Sequence, residues 1–134
     1  MVVFSHGFGV DRRSSSLFTD IADSLPENYG YVLFDYYQME DEKWYVPGMH
    51  KKVNTLRSVI TFAAEHSDHV IVIAHSLGCK IAALAEAPIS QVIFLAPPTR
   101  TITKNWKEIF VSKRKDRSRI DEEGNVHLTR KRDG

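Results

Sequence analysis

Two short clusters hold the residue types best suited to chemistry. The first is Ala74-His75-Ser76-Leu77-Gly78, a serine with a small residue two positions away on either side. A serine hydroxyl attacks an acyl carbon once a histidine base takes its proton and a carboxylate orients that base. The second is Ser5-His6-Gly7-Phe8-Gly9, where two glycines within three residues allow backbone geometry that a side chain would block.

The surrounding sequence sets where these clusters must lie. Val70 to Ala74 is an unbroken apolar run, the pattern of a strand buried on both faces of a parallel sheet. Ile81, Leu84 and Ala85 then follow helical spacing up to Pro88. Ser76 therefore falls at a strand-to-helix bend, where small neighbours permit a tight turn and the helix directs free N–H groups and its positive dipole end at the hydroxyl.

Val2-Val3-Phe4 reads as a strand feeding the glycine loop. Ser14 to Ser16 offer N-caps for a helix carrying Leu17, Phe18, Ile21, Ala22 and Leu25. Tyr31 to Phe34 reads as a buried strand ending at Asp35, and Val92 to Ala96 as a fourth buried strand closed by Pro97-Pro98. Residues 38 to 50 lack a clear period and read as a loop able to line a pocket with Trp44, Tyr45 and Met49. Asn54 or Thr55 can cap a helix whose Leu56, Val59, Ile60 and Ala63 share a face. Four strands alternating with three helices predict an α/β, three-layer sandwich with a parallel sheet and right-handed crossovers.

The bend and the glycine loop, in this order and on these strands, resemble the nucleophile elbow and oxyanion loop of the α/β-hydrolase superfamily, with Ala74 in place of the elbow's first glycine. The resemblance implies a serine hydrolase acting on an ester, thioester or amide through an acyl-Ser76 intermediate, with the Phe8 and Leu77 N–H groups as the oxyanion hole. It covers residues 2 to about 98, the amino-terminal portion of such a fold. The domains expected are therefore a partial hydrolase core at 1–100 and a lid or insertion segment at 101–134, a helix plus a β-hairpin around Glu123-Gly124-Asn125.

The family orders its triad Ser, then Asp or Glu, then His, on strands beyond the lid. Order permits Ser76, Asp121 and His127, but both partners fall in a charged, turn-rich segment without a core strand to fix them. The base and acid are thus expected to be missing from this stretch. Asp35 is set aside as the acid in favour of a rim role. His6, Gly7, His75, Tyr36 and Trp44 are expected to border the substrate, His75 pointing away from the nucleophile because the bend is sharp.

Composition is that of an ordinary globular chain: 43% hydrophobic, 26% charged, net charge +1. No window is apolar enough for a membrane span, and Met1 leads straight into a strand, so the expected location is cytoplasmic. The single Cys79 suits packing better than redox chemistry. Residues 1–100 hold 8 Lys or Arg against 11 Asp or Glu, whereas 101–134 hold 10 against 6. The basic tail frames the alternative reading, a non-catalytic α/β module that binds a partner; nucleic acid is disfavoured because acids are interspersed. Scattered histidines and the absence of GxGxxG or P-loop patterns indicate no metal and no cofactor. The expected partners are a small acyl substrate and a second copy or complementing carboxyl-terminal segment.

Overall fold

A computed structural model describes residues 1–40, 43–99, 118–120 and 126–129. In chain order the elements are β1 (Val2–Ser5), α1 (Leu17–Asp23), β2 (Tyr31–Leu33), β3 (Gln38–Glu40), β4 (Lys43–Val46), α2 (Met49–His66), β5 (Ile71–His75), α3 (Leu77–Leu84), β6 (Gln91–Leu95), β7 (Ser118–Ile120) and β8 (Val126–Thr129). They divide into two compact units, Met1–Asp35 with Met49–Pro98, and Tyr36–Gly48 with Thr99–Gly134.

The first unit is built on a parallel sheet in the order β2-β1-β5-β6. Side chains alternate across a strand, and β1 shows both consequences. Phe4 meets Phe18 of α1 with ring centroids 4.9 Å apart, in a core shared with Val2, Ala22 and Ile73. Its neighbour Ser5 faces the other way, and its hydroxyl donates to the Gly78 carbonyl of α3 at 3.2 Å. On that second face α2 contributes Leu56, Ile60 and Ala63, all fully buried. Helices thus cover both faces of an α/β sandwich, and the crossover changes face between β1 and β5, the place where open parallel sheets form a ligand crevice.

Three features differ from expectation. Helix α2 begins at Met49, five residues before Asn54, and its buried face extends back through Val53 and Lys52. The Ser14 to Ser16 hydroxyls do not cap α1: Ser16 stands at the N-cap with φ 74° and no side-chain cap bond, its hydroxyl donating instead to Asp20. The outer strands are less buried than their apolar runs implied. Val92, Ile93 and Phe94 of β6 are 40–43% exposed and Tyr31 of β2 is 48% exposed; among the described residues each of these strands has a sheet neighbour on one side only.

The second unit holds an antiparallel sheet, β3-β4-β8-β7. The stretch read as a loop at 38–50 therefore supplies two strands, with Gln38 opposite Tyr45 and Glu40 opposite Lys43. Strand β8 pairs on one side with β4, setting His127 opposite Tyr45, and on the other with β7, setting Ile120 opposite Val126. The expected helix at 101–111 lies outside the described residues. No helix among the described residues is long and apolar enough to cross a membrane.

Candidate active site

Ser76 occupies a backbone conformation that a side chain disfavours, φ 52° and ψ −120°. Such a residue costs about 1–3 kcal/mol and persists only where its surroundings hold it. Here the Ser76 N–H donates to Leu95 O of β6 and the Cys79 N–H to Ser76 O, both at 3.0 Å. The Cys79 thiol, buried, donates to Ala74 O at 3.2 Å. Burial pushes that thiol's pKa up, which suits a packing role. Ser76 itself is half-buried.

The two small elbow positions are not equivalent. Ala74 is fully buried with its methyl accommodated. At Gly78 a β-carbon would run into the Ser5 carbonyl oxygen and would lie 2.7 Å from Ser5 C and 2.9 Å from His6 O. Only glycine lets the first turn of α3 press against the end of β1, and that approach brings the two clusters together.

Register places Ser5 beside Ala74, so the chain leaves β1 and β5 at the same end of the sheet. Gly7 then lies directly against the serine. A β-carbon there would sit 3.1 Å from Ser76 Cβ, 3.3 Å from His75 O and 3.6 Å from Ser76 Oγ. Gly9 supplies the turn, with φ 76°. Phe8 between them is half-buried, its ring beneath the Lys52 ammonium at 5.6 Å. Lys52 is 4% exposed and was not anticipated; its spacing of four from Leu56 and eight from Ile60 is the signal that places it on the buried face. Leu77 opens α3, so its N–H has no carbonyl within the helix to bond.

The histidines have other engagements. His6 is fully buried and its Nδ1 lies 2.8 Å from Gly7 O; a carbonyl only accepts, so Nδ1 carries the proton. Burial, first, lowers its pKa, and Lys52 adds to this, against the Gly7 bond and the charges of Asp35 and Asp11. Since the folded pKa lies below the ordinary value of about 6.5, the folded chain binds fewer protons than the unfolded one just below that pH. Stability is then full above it and declines on acidification. His6→Asn, which keeps a donor near Nδ1, is expected to flatten this decline in denaturation midpoints taken between pH 7 and pH 5.

His75 turns away from Ser76, its Nδ1 3.1 Å from Ser14 Oγ and its ring edge-on to Phe18 at 6.4 Å. Among the described residues no histidine hydrogen-bonds the Ser76 hydroxyl. Asp35 is clamped by Arg12, whose N–H donates to Oδ1 at 2.6 Å and whose Nε meets Oδ2 at 2.9 Å. That geometry suits the rim role, and Asp35→Asn is expected to change covalent capture at Ser76 by less than about threefold, since an exposed pair contributes little; the labelling rate of the variant checks it. Tyr36 is buried in the second unit. Trp44 lies on β4 of that unit, paired with Leu128, and His127 lies on β8; Asp121 lies outside the described residues.

A parallel α/β sheet, a strained serine at a strand-to-helix bend and a glycine loop packed on that serine define the hydrolase type of α/β fold. The sequence profile of the alpha/beta hydrolase family matches residues 2–127, and the chain belongs to that family. No curated protein and no solved structure matches the chain.

Proposed function

We propose that the chain is a serine hydrolase of the carboxylesterase type, acting on an ester, thioester or amide through an acyl-Ser76 intermediate. The observation that carries this reading is the juxtaposition of Gly7 with the strained Ser76. That juxtaposition supports reading the amides of Phe8 and Leu77, the residues that follow Gly7 and Ser76, as the donors to an oxyanion formed at the hydroxyl. Ser76 Oγ bonds to the acyl carbon, the carbonyl electrons move onto the oxygen facing those amides, and their return expels the leaving group. The hydroxyl proton passes to a base.

His6 and His75 are engaged elsewhere and Asp35 is clamped, so base and acid are assigned outside the described residues of the first unit. The exposed apolar residues Val92, Ile93 and Phe94 of β6 support an added strand beside β6 as their carrier, supplied in solution by a second copy of the chain. A small acyl compound is the substrate, with Gly7 and the half-buried Phe8 at its border, while His6 is buried. No observation favours the basic tail as a binding surface.

The test is the release of p-nitrophenol from p-nitrophenyl acetate. A burst of about one equivalent per chain followed by slow turnover is expected. Linear release at the rate given by free serine counts against the reading.

A further inference from the structure

The turn after the glycine loop is the least expected piece of backbone in the first unit. Ser14, Ser15 and Ser16 have φ of 50°, 56° and 74°, three consecutive non-glycine residues in the left-handed region, where glycine would sit without strain. Ser15 and Ser16 are exposed, but Ser14 is 4% exposed although it lies in a loop. Its hydroxyl meets His75 Nδ1 at 3.1 Å.

The turn is pinned at its other end too, by the two Arg12 contacts with Asp35 just beyond β2. Residues 12–14 therefore bridge the carboxyl ends of β2 and β5 across the end of β1, and only Val10 and Asp11 separate them from Gly7-Phe8-Gly9. His75 is the residue before Ser76. One partly buried hydrogen bond thus joins two strained segments, the bend that presents the hydroxyl and the turn that anchors the oxyanion loop. Strain of this kind is kept where the surrounding structure over-determines it, commonly at functional sites.

We infer that Ser14 is a positioning residue: its hydrogen bond to His75 fixes the distance between Ser76 Oγ and the Phe8 amide. The inference rests on the reading of Ser76 as nucleophile. A residue in this role governs the chemical step and leaves the encounter with substrate unchanged, since displacements well under an ångström at a reacting pair cost on the order of tenfold in rate.

The experiment compares Ser14→Ala and Ser14→Gly with the unmodified chain in time courses with a fluorophosphonate probe, normalised to folded protein by circular dichroism. Alanine removes the hydroxyl and keeps the strain, whereas glycine removes the hydroxyl and relieves it. Both variants are expected to lose about tenfold in the maximal labelling rate with the half-saturating probe concentration unchanged. Amide exchange at Phe8 and Gly9 is expected to quicken in both. Labelling equal to that of the unmodified chain overturns the inference, as does a loss in Ser14→Ala that Ser14→Gly restores, which would assign the effect to backbone conformation. If the unmodified chain itself is not labelled, the nucleophile reading fails, and unchanged exchange at Phe8 and Gly9 overturns the positioning role separately.

Discussion

Replacing Ser76 by glycine is expected to abolish covalent capture by acyl and phosphonyl probes while making the folded chain more stable. The residue sits at φ 52° and ψ −120°, where a β-carbon is strained and glycine is not. Relief of that strain should raise stability by about 1 kcal/mol after the entropy cost of glycine in the unfolded chain. Capture should fall by at least about a hundredfold, to the level of ordinary surface serines, because the attacking oxygen is gone. Ser76→Ala should lose the same activity without the gain in stability. Thermal denaturation and probe labelling of the two variants together separate a hydroxyl retained for chemistry from one retained for packing, since packing predicts that both variants destabilise.

Gly78→Ala is expected to be the most damaging single methyl in the first unit. The added carbon would collide with the Ser5 carbonyl and crowd His6 O, both backbone groups at the end of the central strand. No side-chain rotation relieves the overlap, so α3 must move off β1. The Ser5 hydroxyl bond to Gly78 O is lost with it. Overpacking in a rigid core costs about 1–3 kcal/mol, and the buried hydroxyl left without its acceptor adds about 1–3 kcal/mol more. Chemical denaturation should show a loss of about 3 kcal/mol or complete unfolding, against a small change for Ala74→Gly, where a methyl already fits.

The contrast between positions 74 and 78 shows where sequence pattern stops. The pentapeptide around Ser76 requires small residues on both sides, but the requirement for no side chain at 78 comes from β1, more than seventy residues earlier. The four parallel strands were legible because Val2–Phe4, Tyr31–Phe34, Val70–Ala74 and Val92–Ala96 are unbroken apolar runs. Their exposure was not: an apolar run reports suitability for burial, whereas the exposure of β6, the last strand of its sheet among the described residues, depends on what lies beside it. The hairpin β3-β4 was missed because neither strand alternates apolar with polar residues over more than three or four positions, and its pairing with β8 spans eighty residues. The left-handed turn at Ser14–Ser16 carries no glycine or asparagine to announce it, so its serines read as helix caps. The bond between Ser14 and His75 was invisible for the same reason.

The most direct measurement is the site of covalent modification. The chain is treated with a fluorophosphonate and digested with trypsin, and the peptide spanning residues 58–80 is fragmented in a mass spectrometer; it contains Ser58, Ser67 and Ser76. The expected result is a single phosphonyl adduct on Ser76, absent when the chain is first denatured. An unmodified peptide, or an adduct spread over Ser58, Ser67 and the serines of other peptides, would contradict a nucleophile at the bend.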